Sequence, residues 1–167
     1  MSNKIEMLAA ASELLYKEAF YVDGQKWDEW LDLFTEDCEY WMPSWKDEHE
    51  VTEDPKREIS LIYYSGRFGL EDRVWRIRSG QSIASTPLPR TSHAVNNIMV
   101  DDLTDDGMTV RSTWQANCFF HKKNKSDLFY GDYEHKLRKT DDGWKICRKY
   151  VVLKNDYIPT MLDIYNA

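Results

Sequence analysis

The tetrapeptide Thr-Asp-Asp-Gly occurs twice in the second half of the chain, at 104–107 and 140–143, each time between long runs in which apolar and polar residues alternate. Asp-Gly between alternating runs is the strongest short hairpin signal, because glycine enters the positive-φ region that tight hairpin turns need. The pattern predicts four strands, over 91–103, 108–121, 128–139 and 144–153. Along the second, Met108, Val110, Ser112, Trp114, Ala116, Cys118 and Phe120 take one face, while Thr109, Arg111, Thr113, Gln115 and Asn117 take the other. Long sequential hairpins twist strongly and leave an apolar concave face that other elements must cover.

The first half of the chain supplies that cover. Asn3 with Glu6 reads as a capping box, and Ile5, Leu8, Ser12, Leu15, Ala19 and Val22 form a stripe that ends at Gly24, a helix of about six turns. Trp27, Trp30, Leu31 and Phe34 recur at helical spacing, which predicts a second helix over 25–34. Cys38, Tyr40 and Met42 then alternate with Glu39 and Trp41 up to Pro43, which predicts a strand. A polar, acidic loop over 44–56 leads to a β-rich run at 58–64. A third helix is expected over 70–78, with Leu70, Val74 and Ile77 inward and Arg73, Arg76 and Arg78 polar, followed by a connector over 79–89 that holds a possible short strand. Helices first and a curved antiparallel sheet after describe an α+β cone, expected to be a single domain spanning 1–167.

Composition excludes several function classes. A net charge of −7 and a pI near 5.1 argue against a nucleic-acid partner, and the one basic run, His121 through Lys125, falls where a solvated turn is expected. With 42% hydrophobic and 31% charged residues the chain is expected to be neither membrane-embedded nor disordered. Three widely spaced cysteines, Cys38, Cys118 and Cys147, give no disulfide framework, and the first residues lack a signal-peptide pattern, so a cytoplasmic protein with reduced thiols is expected. Aromatic residues reach 14%, enough to suggest a partner surface as well as a core. Rieske ligand pairs, zinc-finger spacing, HExxH, a P-loop, GxGxxG and GxSxG are all missing, so no iron, zinc, nucleotide or flavin is expected on this chain through a standard motif.

Four histidines remain for acid–base work. His49 falls in the polar loop and His121 at a strand end. His93 starts a strand and His135 sits on the inward side of the third one, where a lone histidine is either a hydrogen-bonded core residue or, with Asp37 or Asp132, a general acid–base pair in the cone. Arg148 falls in line with Trp144, Ile146, Tyr150 and Val152, so it needs a partner within the chain or across a subunit boundary, unless a bulge shifts the count by one.

The runs TEDPKREISLIYY (52–64), GLEDRVWRIRSG (69–80), PRTSHAVNNI (89–98) and KYVVLKNDYI (149–158), with WLDLFTED ahead of them and DIY near the end, resemble the small (β) subunit of aromatic-ring-hydroxylating Rieske dioxygenases, above all the benzoate, toluate and anthranilate group. The resemblance covers nearly the whole chain in order. It implies the cone shared with nuclear transport factor 2 (a cystatin-like fold), scytalone dehydratase and ketosteroid isomerase. It further implies a large α subunit carrying the Rieske [2Fe–2S] cluster and the mononuclear Fe(II), an α3β3 assembly with β–β trimer contacts, and NADH-derived electrons from a reductase. Both atoms of O2 would go onto the ring of the substrate to give a cis-dihydrodiol. No catalytic, cofactor-binding or metal residue carries over to this subunit, which would be a scaffold. The alternative is a stand-alone dehydratase or isomerase using His93 or His135 with a carboxylate such as Asp37. A third reading is a small-molecule binding module that has no partner.

Overall fold

A computed structural model describes residues 2–82, 86–155, 158 and 160–167, with side chains from residue 4 onward. The side chain of Asn3 and the middle of the 79–89 connector lie outside the described residues, so the capping box and the short strand expected there do too. The element order is α1 (Ser2–Asp23), α2 (Trp27–Leu31), β1 (Phe34–Pro43), β2 (Ser60–Ser65), α3 (Arg67–Arg78), β3 (Arg90–Asp101), β4 (Gly107–Phe120), β5 (Lys125–Thr140) and β6 (Gly143–Leu153). The six strands form one curled sheet in the order β2-β1-β6-β5-β4-β3. This is the expected α+β cone, with one difference in the pairing. The β1–β6 pair is parallel, while every other pair is antiparallel.

Of the two Thr-Asp-Asp-Gly turns, the second closes as the expected tight hairpin, Thr140 pairing with Gly143, whereas the first lies in a longer connection between the paired residues Asp101 and Thr109, with the positive φ at Asp102 and not at Gly107. In each, the threonine hydroxyl donates to the carbonyl of the glycine three residues on, Thr104 to Gly107 at 3.1 Å and Thr140 to Gly143 at 2.8 Å, and Gly143 has φ +104°. Met108, Val110, Ser112, Trp114, Ala116 and Cys118 of β4 all face the core. On α3, Leu70, Val74 and Ile77 are buried, as their spacing required.

Three local readings are corrected. On α1 the inward stripe is Ala11, Leu14, Leu15, Glu18 and Val22, whereas Ile5 and Leu8 face solvent. The charged Glu18 occupies the middle of that stripe, and an apolar count passes over it. The second helix stops at Leu31, because Leu33 accepts a hydrogen bond from the Ile146 amide (2.8 Å) and Phe34 already pairs with Ile146 as the first residue of β1. The third correction concerns Arg148. In the β5–β6 register Leu137 opposes Ile146 and Lys136 opposes Arg148, so Cys147 is an extra residue, a bulge that exchanges the two faces of β6. Ile146 points inward before it; Lys149, Val151 and Leu153 do so after it. Arg148 therefore faces outward, where it donates to Glu39 (2.8 Å) and Glu134 (3.0 Å) and lies 4.9 Å from the ring centre of Tyr150.

Candidate functional site

The interior of the cone gathers the polar side chains that the rest of the core excludes. Glu18 enters from α1, His135 from β5 and Lys149 from β6, all three fully or almost fully buried. Lys149 Nζ donates to Glu18 Oε1 at 2.7 Å, and His135 Nε2 lies 3.1 Å from Glu18 Oε2. Burial would raise the Glu18 carboxyl, but the ammonium of Lys149 and the hydrogen bond from His135 outweigh it and hold the group down at about 2. His135 is shifted the opposite way from its usual partnership: burial lowers it, more than Glu18 raises it. The network is thus a Glu18 carboxylate and a Lys149 ammonium with a neutral imidazole whose Nε2–H donates to Glu18. Lys149 Nζ also lies 4.4 Å from the ring centre of Tyr133 and 5.3 Å from that of Tyr40.

A second pair stands beside it. Asp23, the last residue of α1, accepts from the Thr91 hydroxyl (2.8 Å) and the His93 amide (2.8 Å) and lies 2.6 Å from His93 Nδ1. Burial opposes ionisation of Asp23, but those donors, His93 first among them, bring its carboxyl below the usual range. Both inward histidines therefore do have carboxylates, and neither is the one expected. Asp37 lies on the outside, bound by Arg138 at 2.9 Å, and Asp132 pairs with Lys154 at 2.8 Å. His49 and His121 are exposed. Glu18 and Asp23 were missed because their partners lie 117 and 70 residues away in sequence. The one signal that could have found Glu18 is its helical spacing from Leu15 and Val22.

Little room is left between these groups. The space bounded by Leu15, Glu18, Val22, His93, Tyr133, Lys149 and Ala167 measures about 10 Å³, the size of one water. Residues 164–167 are themselves buried in the core, and the Tyr40 hydroxyl donates to the backbone oxygen of Ala167 at 3.1 Å. The other end is closed by rings: Trp30 stands edge-on to Trp27 at 6.2 Å and to Phe34 at 4.9 Å between centres. Burial pushes the Cys38 and Cys118 thiols up to about 11, so both are poor metal ligands and nucleophiles. Among the described residues no three His, Cys, Asp or Glu side chains converge. The donor sets among the described residues thus fit neither an iron–sulfur cluster nor a mononuclear iron.

Residues 17–160 match the family model described as the ring-hydroxylating β subunit. The chain belongs to this family of β subunits. The β subunit is 41% identical over 163 residues to the small subunit of anthranilate 1,2-dioxygenase from Acinetobacter baylyi, an alignment covering 98% of this chain and 99% of that one. The crystal structure of the β subunit of benzoate 1,2-dioxygenase from Burkholderia mallei superposes with a TM-score of 0.79 at 39% identity, over 95% of this chain and 96% of that one. A hexachlorocyclohexane dehydrochlorinase superposes with a TM-score of 0.65 at 16% identity, over 98% and 94% of the two chains, which shows a common fold and nothing more. The β subunit thus has the nuclear transport factor 2-like cone, and it is the small subunit of an aromatic-ring-hydroxylating dioxygenase, similar in sequence to those of the benzoate and anthranilate dioxygenases. Among the described residues, no helix is long and apolar enough to cross a membrane.

Proposed function

We propose that this β subunit is a non-catalytic scaffold, a single domain over 1–167, that holds α subunits in an α3β3 assembly through α–β and β–β contacts in the cytoplasm. The α subunits carry the Rieske [2Fe–2S] cluster and the mononuclear Fe(II) and receive NADH-derived electrons through a reductase. The substrate is an aromatic carboxylate, converted with O2 to a cis-dihydrodiol or catechol; the named relatives, which act on benzoate and anthranilate, support that class. The observation that carries the scaffold reading is the filled cone. Ligand sites for small molecules usually offer roughly 300 Å³ or more, against about 10 Å³ here.

A second reading, a dehydratase or isomerase acting alone, has the two histidine–carboxylate pairs in its favour. Glu18 and His93 border the filled space, while Asp23 and His93 also line a groove of about 220 Å³ with Tyr16, Phe20 and Val95, smaller than the roughly 300 Å³ that small-molecule sites usually offer.

Co-expression with a Rieske α subunit of the same family decides between the two. The scaffold reading expects a hetero-oligomer that stays together on a sizing column at micromolar concentration, and a lone β subunit with no stoichiometric iron and no oxygenase turnover. Separate elution of the two subunits, or one iron atom per lone β subunit, overturns it.

A further inference from the structure

Helix α1 is apolar on two sides. Its inward stripe packs on the concave face of the sheet, and a second stripe lies about a third of a turn around the helix, where Ile5, Leu8, Tyr16 and Phe20 are 68%, 40%, 46% and 75% exposed. With Ser12 between them these residues recur every three or four positions, so they share one face. Between Ile5 and Phe20 the charged residues stay off it; Glu13 and Lys17 pair with each other at 2.6 Å to one side. A surface helix needs one apolar stripe, and a helix with two is built to lie between two layers.

The outer face of the sheet has the matching feature. The register aligns two neighbouring rows across β3, β4 and β5, Ser92–Asn117–Leu128 and Ala94–Gln115–Tyr130, and neither row holds a charge in a chain that is 31% charged. Leu128 and Tyr130 are 47% and 43% exposed. Charges stand at the margin and are paired there, Asp132 with Lys154 at 2.8 Å and Arg111 with Asp101 at 2.6 Å. An uncharged centre with aromatic content inside a polar rim is the anatomy of a protein–protein interface. Gln115, Leu128 and Tyr130 also line an open trough of about 450 Å³, room enough for a side chain as bulky as Phe20.

We infer that α1 of one copy docks on the outer face of β3, β4 and β5 of the next, so that β subunits join head to tail. The inference rests on the α3β3 reading and says which surfaces make its β–β contacts. Copies around a threefold axis cannot set a patch against itself, because only a twofold axis does that, so each must carry two different patches that fit one another. A helix face and a sheet face are such a pair, the same pair that stacks as layers inside domains. A net charge of −7 makes copies of this chain repel, and contact through two uncharged faces keeps that repulsion out of the interface. The stripe is about 23 Å long, which is short of the roughly 800 Å² per partner of a stable pair, so the contact forms in the assembled complex and not between lone chains.

The test is crosslinking inside the assembled complex. Phe20→Cys and Gln115→Cys are made in separate chains, each also carrying Cys147→Ser because Cys147, unlike Cys38 and Cys118, is partly exposed. The two are co-expressed with a Rieske α subunit of the same family, together and each alone, and treated with a short bismaleimide. The mixture should give a β–β species of twice 19.8 kDa, and neither variant alone should give it. A crosslink formed by one variant alone overturns the inference, since it sets a patch against itself. Phe20→Glu, at an exposed position, should leave the Tm of the lone chain nearly unchanged and raise the concentration at which the complex dissociates at least about tenfold. A complex that dissociates where the natural one does overturns the inference as well. A three-copy assembly that gives no crosslink in the mixture removes the inference and leaves the α3β3 reading standing, whereas failure to form any three-copy assembly overturns both.

Discussion

At the scale of single residues the Glu18, His135 and Lys149 cluster sets the response to pH. The Glu18 carboxyl sits at about 2 in the fold against an ordinary 4.5. Its contribution is therefore complete above about 4.5 and disappears as pH falls toward 2. His135 is lowered from its ordinary 6.5, so the unfolded chain takes up that proton first, and stability begins to fall once pH drops below 6.5. Glu18→Gln leaves Lys149 buried without its counter-charge and should cost about 3–5 kcal/mol at neutral pH. In urea titrations across pH, the gap between Glu18→Gln and the natural protein should be full above 4.5 and close toward 2. A gap independent of pH would mean that lost packing, and not charge, is responsible. Of this cluster, strand alternation revealed only that His135 points inward. Glu18 hid inside a helical stripe, and the bulge at Cys147 concealed Lys149 by turning it to the face opposite the one its spacing gave.

At the scale of elements, strands joined by tight turns were legible and distant pairings were not. The boundaries of β3 through β6 follow from alternation and, between β5 and β6, from a tight Asp-Gly turn, because hairpin register is a local property. The parallel contact between β1 and β6 joins Phe34 to Ile146, and no local pattern encodes a neighbour so far along the chain. The middle of the sheet carries its own marker in Gly131. An added Cβ there would stand 1.7 Å from the carbonyl oxygen of Val152 on the neighbouring strand. Backbone cannot rotate away as a side chain can, so β5 and β6 would have to part at the Gly131–Leu153 pair. Gly131→Ala should therefore cost at least about 2 kcal/mol, at the upper end of overpacking effects. A urea midpoint within error of the natural protein would mean that the sheet is looser there than its register implies.

At the scale of the molecule, the question is whether the cone is a filled body or a reaction chamber. The order of motifs revealed the family before any contact was known, since similarity is spread along the whole chain. It could not reveal how full the interior is, because fullness depends on α1, α2 and residues 163–167 meeting the same sheet face. Trp30 separates the two cases. It is fully buried between Trp27 and Phe34 and remote in role from every titratable group of the interior. Trp30→Ala removes a large ring from a close-packed site and should cost about 3–5 kcal/mol. For a chain of this length that is a fall in Tm of roughly 10 °C. In a scaffold the loss stays in stability, so turnover per assembled α3β3 complex, measured well below the new Tm, should remain within about twofold of the natural complex. A reaction chamber would instead lose transition-state positioning when its end wall goes, and turnover would fall at least tenfold while the assembly stayed intact. A tenfold loss in a complex of unchanged size would overturn the scaffold reading, whatever the lone subunit does.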